Sequence, residues 1–244
     1  MAERPLVGKT AWVTGASRGI GRAIALELAR AGAVVCLGAR SEDALNQLVE
    51  ILKAEELEAH AIPVDVGDNA SVEQFALKAI DLAGPPHILV NNAGVAIRKE
   101  FLHMDPADFD SQIDVTLKGP WYMAKAAAPA MQQLGGGFSV NISSIAGRHP
   151  FKRGTGYCAA KAGLNSFSEA LMLELRDFGI KVFTIAPGSV DTSFHQTALP
   201  QQNPKDNSWM LDPETIAESV LHLITQPPNA LTNYYEIRPM KKGK

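Results

Sequence analysis

The chain has 244 residues, of which 46% are hydrophobic, and its 23 basic and 26 acidic side chains leave a formal charge of -3. That is length enough to bury one large core, so a single domain over 1–244 is expected, and it offers no basic surplus to bind a phosphate backbone, so nucleic acid is not an expected partner. Cys36 and Cys158 lack zinc-type spacing, and His60, His87, His103, His149, His195 and His222 are scattered, so neither a disulfide framework nor a metal site is expected. No run of about 18 uncharged apolar residues occurs and the opening MAERPLVGKTAWVTG has no apolar core of a signal peptide, so no membrane span is expected and the expected location is cytoplasmic.

In chain order, short runs rich in β-branched residues alternate with longer stretches of helical period. This is the pattern of βαβ units, and it predicts an α/β fold: a Rossmann-type, doubly wound, mostly parallel seven-stranded sheet with helices on both faces. Strands are predicted over 10–14, 33–38, 59–64, 87–90, 137–142, 180–186 and 233–238. The best-marked helices are predicted over 20–31, 42–56, 72–83, 106–133, 156–178 and 213–225. The segment 189–211, with Pro200 and Pro204 and no periodicity, is the longest predicted loop, and it follows a strand end where a substrate lid would sit. With 95–104 and 145–153, it is expected to shape a pocket.

Residues Thr14 to Gly21 read TGASRGIG, directly after the strand TAWVT and directly before a helix. Gly15, Gly19 and Gly21 would let the backbone turn sharply, present its N–H groups to a pyrophosphate at the helix start, and pack that helix close to the sheet. Ser17, Arg18 and Ile20 complete this candidate cofactor turn. The second strand ends at Gly38, Ala39 and Arg40, where an NAD-preferring site would carry an acidic residue about 20 positions past the turn. Glu42 and Asp43 are expected to open the next helix instead, leaving Arg40 and Arg18 to hold a 2'-phosphate by charge-assisted hydrogen bonds. The expected cofactor is therefore NADP(H).

Tyr157 and Lys161 stand four apart in a helical stretch and so share a face. Ser144 follows the strand FSVNIS, and a strand end meets the next helix start at one edge of a parallel sheet, which would bring the three together. A tyrosine of ordinary pKa near 10 needs stabilisation of its phenolate to act as a base. Lys161 and a positive nicotinamide are expected to lower it by about three units, roughly 4 kcal/mol, while Ser144 holds the substrate oxygen. Arg148, His149, Lys152 and Arg153, just beyond Ser144, are open to two readings: attraction of an anionic substrate, or a solvated loop.

Taken together, TGASRGIG, NNAG at Asn91 to Gly94, Ser144, YCAAK at Tyr157 to Lys161 and PGSVDT at Pro187 to Thr192 resemble the classical short-chain dehydrogenase/reductase family, in the right order over about 9–192. The resemblance implies an oxidoreductase interconverting a carbonyl and a secondary alcohol on a small-molecule substrate. It also implies that Asp65 and Val66 contact the adenine, that Asn91, Ala93 and Gly94 line the ribose side, and that Pro187, Gly188, Val190 and Thr192 hold the nicotinamide amide. Tyr157 and Lys161 are implied in cofactor contacts as well as in catalysis. Such proteins are usually homodimers or homotetramers, with interface helices corresponding here to 106–133 and 156–178.

Two departures stand out. Thr116, in IDVTLKG, occupies the place of the family's usual asparagine; if that position supplies mainly a backbone carbonyl, activity is expected to survive. The end NYYEIRPMKKGK lacks a glycine-rich finish, and Phe178 replaces a basic residue, which argues against the alternative of a 3-oxoacyl reductase acting on carrier-bound chains. A non-catalytic dinucleotide sensor is the other alternative, and an intact Ser144, Tyr157 and Lys161 argue against it.

Overall fold

The strand β1 (Thr10–Thr14) is buried along its whole length, with Ala11 and Val13 facing one way and Trp12 the other. A strand apolar on both sides needs a layer of helices on each face, and the computed structural model, which describes residues 4–194 and 206–241, has that arrangement. The remaining strands are β2 (Val34–Ala39), β3 (Ala59–Pro63), β4 (Ile88–Asn91), β5 (Gly137–Ile142), β6 (Ile180–Pro187) and β7 (Tyr234–Ile237). All pair in parallel in the order β3-β2-β1-β4-β5-β6-β7. The sheet is thus wholly rather than mostly parallel.

The main helices among the described residues are α1 (Gly19–Arg30), α2 (Glu42–Ala54), α3 (Asn69–Ala83), α4 (Pro106–Ile113), α5 (Gly119–Gln133), α6 (Thr155–Leu175) and α7 (Pro213–Ile224). One face carries the core of α1, α2 and α7, centred on Ile24, Leu28, Leu48 and Ile216. The other carries α3 and α5, with Trp12 edge-on to Phe75 at 5.5 Å between ring centroids. Cys36, in register with Trp12, is fully buried there and its thiol is pushed up to about 12 by that burial, which makes it an inert filler. Cys158 is also buried and unbridged.

Two predicted elements change. Helix α3 begins three residues earlier than its apolar period suggests, because the Asp68 carboxylate accepts hydrogen bonds from the Ala70 and Ser71 N–H groups at its start. The long helix predicted over 106–133 is broken by a π-helical segment, Asp114–Lys118, between α4 and α5. Pro120 lies at the break. Having no N–H, it cannot donate to the Thr116 carbonyl four residues back, so the regular ladder fails there.

Strand order reverses between β1 and β4, since β2 and β3 extend one way from β1 while β5, β6 and β7 extend the other from β4. The carboxyl ends of β1 and β4 therefore open on a crevice, the place where parallel α/β sheets bind ligands. The two ends of the predicted loop 189–211 are tied by a parallel bridge between Val190 and Leu211, with the Asp191 N–H donating to the Leu211 carbonyl and the Leu211 N–H to the Ser189 carbonyl, while Ser193 and Phe194 are helical. His195, Pro200 and Pro204 lie outside the described residues. Among the described residues, no helix is long and apolar enough to cross a membrane, and no group of three His, Cys, Asp or Glu side chains could hold a metal ion.

Candidate active site

At the end of β1 the backbone turns through Gly15, with φ of 65°, and Gly19, with φ of 55°. A Cβ on Gly21 would lie 2.3 Å from the Gly15 carbonyl oxygen and 2.4 Å from Asn92 Nδ2. Only glycine lets α1 begin so close to the sheet. Asn92 ties this turn to β4: its Nδ2 donates to the carbonyls of Thr14 at 3.0 Å and Gly15 at 3.2 Å. Thr14 Oγ1 in turn accepts from the N–H groups of Asn92 at 3.0 Å and Ala93 at 3.2 Å, and donates to the Val90 carbonyl at 3.2 Å. Sequence reasoning passed over Asn92; the doubled asparagine of NNAG was the available signal.

Arg18 is the residue before α1 and makes no side-chain cap, so no side chain at that cap takes the leading N–H groups of the helix. Ile20 packs partly against the core and offers its backbone, whereas Ser17 is half-exposed. Arg18 and Arg40 are exposed and, among the described residues, have no ion pair. The turn and the end of β2 are joined by a hydrogen bond from the Ala16 N–H to the Gly38 carbonyl at 3.1 Å. Glu42 and Asp43 occupy the first turn of α2. A backbone cradle with two cations beside it suits a phosphorylated dinucleotide.

Across the crevice, Ser144 follows β5 and precedes the short turn Ile145–Gly147, its Oγ accepting from the Ala146 N–H at 3.1 Å. Its hydroxyl also hydrogen-bonds the Tyr157 hydroxyl. One helical turn on, Lys161 is only 4% exposed; its Nζ donates to the Ile142 carbonyl at 2.7 Å and lies 5.8 Å from the centroid of the Tyr157 ring. Burial pushes Tyr157 up to about 12, against the opposing effect of the Ser144 hydrogen bond, and pushes Lys161 down to about 7. The expected lowering of Tyr157 belongs to the complex, in which Lys161 and a positive nicotinamide act together. Among the protein's own groups, desolvation is the largest effect on each of the two and favours its neutral form.

Thr116 is fully buried in the π-helical break, and its Oγ1 accepts from the Val95 N–H at 3.2 Å. Thr116 Oγ1 and Lys161 Nζ lie 3.7 and 3.8 Å from the point where a Cβ on Gly94 would sit, so these three residues converge. The rings of Phe151 and Phe194 stand 6.4 and 6.1 Å from that of Tyr157, and sequence reasoning singled out neither. No local spacing could have found them, because Phe151 lies before α6 and Phe194 beyond β6, far apart in the chain.

Other predicted contacts are placed differently from one another. Asn91 turns its side chain into the sheet, where Nδ2 donates to Asn141 Oδ1 at 2.8 Å; Asn141 Nδ2 donates to Ser168 Oγ at 2.8 Å, and Ser168 to the Leu164 carbonyl at 2.6 Å. That buried chain fastens α6 to the sheet and leaves Asn91 Oδ1 without a hydrogen-bond partner among the described residues. Asp65 is engaged locally, its Oδ1 accepting from the Gly67 N–H at 3.0 Å, and Val66 is buried beneath Gly119. Beyond Pro187, Gly188 donates its N–H to the Ile237 carbonyl at 2.8 Å, and the chain passes Val190 to bring Thr192 Cγ2 within 3.1 Å of a Cβ position on Gly19. The segment 187–192 thus closes back over the glycine turn.

A wholly parallel doubly wound sheet, a glycine turn at its switch point and a serine, tyrosine and lysine across the crevice define a dinucleotide-type α/β oxidoreductase scaffold. The chain belongs to the short-chain dehydrogenase/reductase family, whose model, described as short chain dehydrogenase, matches residues 9–203. An uncharacterized oxidoreductase of Staphylococcus aureus (strain MRSA252) is 37% identical over 235 residues, covering 96% of this chain and 99% of its own. An alcohol dehydrogenase from the archaeon Thermococcus sibiricus, solved in complex with 5-hydroxy-NADP, is 30% identical with a TM-score of 0.87 over 97% of this chain and 99% of its own. A metagenomic short-chain oxidoreductase solved with NADP is 35% identical with a TM-score of 0.85 over 97% of this chain and all of its own (100%).

Proposed function

We propose that the protein, a single-domain enzyme, is an NADP(H)-dependent oxidoreductase that interconverts a carbonyl compound and a secondary alcohol, and that it assembles as a homodimer or homotetramer. The observation that carries the reading is the contact of Ser144 with Tyr157 above a buried Lys161, across a crevice from an uncapped glycine-turn helix. The NADP bound to the metagenomic relative and the 5-hydroxy-NADP bound to the archaeal one support the choice of cofactor. Exposed Trp121 on α5 and Leu173 on α6 support assembly through those helices.

When bound, the nicotinamide supplies or accepts the hydride. The backbone of 15–21 holds the phosphates, and Arg18 and Arg40 the 2'-phosphate. Ser144 holds the substrate oxygen. Tyr157, kept protonated by burial, gives its proton to that oxygen in reduction and recovers it in oxidation, where the charge of Lys161 stabilises the phenolate. Thr116 supports Lys161 through its backbone carbonyl, which Pro120 leaves without its usual donor.

Tyr157→Phe tests the assignment. The ring still packs between Phe151 and Phe194, so NADPH binding and melting temperature are expected to hold while turnover of a carbonyl panel, followed by NADPH absorbance, falls by about 100-fold or more. A variant keeping more than about a tenth of native kcat would sink the role of Tyr157.

A further inference from the structure

The basic cluster beyond Ser144 divides in the folded chain. Arg148 is turned toward β7, its Cζ 3.4 Å from the centroid of the Tyr234 ring. Arg153 instead stands near enough to Arg98 for their charges to oppose each other, and its backbone is in the left-handed region, with φ of 68°. Arg98, from the loop after β4, lays its guanidinium over Phe151, Cζ 4.9 Å from the ring centroid. Phe151 packs against Gly154 at the start of α6, where a Cβ would meet its Cε2 at 2.4 Å, and its centroid lies 6.4 Å from that of Tyr157. Laid end to end, the two separations keep Arg98 Cζ within about 11 Å of the Tyr157 ring.

Among the described residues the carboxylates nearest in sequence to Arg98 are engaged elsewhere. Lys99 takes Asp105 and Asp108, and Glu100 sits against His103. Among the described residues Arg98 has no ion pair, and the sequence of 195–205 contains no Asp or Glu. Arg98 is half-buried, and burial first, then Arg153, pull its guanidinium below the ordinary arginine range. A desolvated cation stacked on an aromatic ring beside a second cation gains from an anion, and a guanidinium pairs best with a planar carboxylate.

We infer that Arg98 is a specificity-determining residue that binds the carboxylate of an anionic carbonyl substrate, with the Phe151 ring as the apolar wall between that carboxylate and the carbonyl at Tyr157. The inference rests on the oxidoreductase reading and names its substrate class: keto acids whose two groups are separated by several bonds or by a ring.

The test compares 4-acetylbenzoate with its near-isosteric neutral partner 4-acetylbenzamide. Native enzyme with NADPH is expected to favour the acid by about tenfold or more in kcat/KM, a preference that shrinks as ionic strength rises. Arg98→Met should collapse the acid-to-amide ratio to near unity through KM for the acid, and Arg98→Lys should restore part of it. Equal use of the pair by the native enzyme, or a ratio that survives in Arg98→Met, would overturn the inference. Calorimetric titration of 4-acetylbenzoate into the NADP+ complex keeps the two readings apart. Binding that depends on Arg98 without turnover of either ketone supports the anion site and sinks the redox assignment. Turnover of the amide with no preference for the acid sinks the anion site alone.

Discussion

The two sides of the crevice are built by different means. On the β1 and β4 side the parts are backbone: positive φ at Gly15 and Gly19, no room for a methyl at Gly21, and carbonyls held by Asn92. On the β5 and α6 side they are side chains, a buried Lys161 on the Ile142 carbonyl and a half-exposed Ser144 on a half-exposed Tyr157. A turn made of backbone can recognise a phosphate without storing charge. A proton-transfer group has to store it, and burial makes that costly. The first side should therefore break by steric insertion, and the second by loss of a single functional atom.

Gly21→Ala is the hardest blow to this contrast. The added methyl cannot avoid both the Gly15 carbonyl oxygen and Asn92, so NADPH affinity measured by fluorescence titration is expected to fall by about 100-fold or more, with a loss of roughly 1–3 kcal/mol in stability from overpacking. Native-like affinity would mean that the turn yields and that its tightness is incidental.

Lys161→Met should act in the opposite sense on stability. Turnover is expected to fall about 100-fold, while the fold gains by shedding a buried charge. The sign follows from protons bound: Lys161 sits at about 7 in the folded chain and at its ordinary 10.5 when unfolded, so the unfolded chain holds more protons between those values and native stability rises with pH across them. Tyr157 and Cys36, both pushed up to about 12 from 10.0 and 9.0, lower stability only above their ordinary values, which leaves a clear window from pH 7 to about 8.5. Over that window the native protein should gain about 1–2 kcal/mol in urea unfolding, and Lys161→Met should show a flat profile. A native profile that is flat or falling would show that Lys161 stays charged in the folded chain.

The smallest effect is expected at the rim of the backbone side. Native enzyme should prefer NADPH over NADH by at least about tenfold in kcat/KM, and Arg40→Asp should narrow or invert that ratio, mainly through KM for NADPH. Equal use of the two cofactors by the native enzyme would remove Arg18 and Arg40 from the phosphate site and leave the turn recognising the pyrophosphate alone.

What the sequence by itself determined was set by short-range spacing. Apolar runs marked all seven strands, the glycines of TGASRGIG announced a tight strand-to-helix turn, and four-residue spacing put Tyr157 and Lys161 on one face of α6. Each of these depends on neighbours along the chain, which is why each is legible there. Tertiary structure alone decided the rest. The inward turn of Asn91 answers Asn141, fifty residues on, and the role of Asn92 answers Thr14 and Gly15 on another strand. The break at 114–118 had a local sign in Pro120, but its result, Thr116 buried beside Gly94 and Lys161, came from packing across the crevice. The upward push on Tyr157 and the stacking of Arg98 on Phe151 have no signature in any window of residues, since a pKa and an aromatic contact depend on which distant groups exclude water from the same few ångströms.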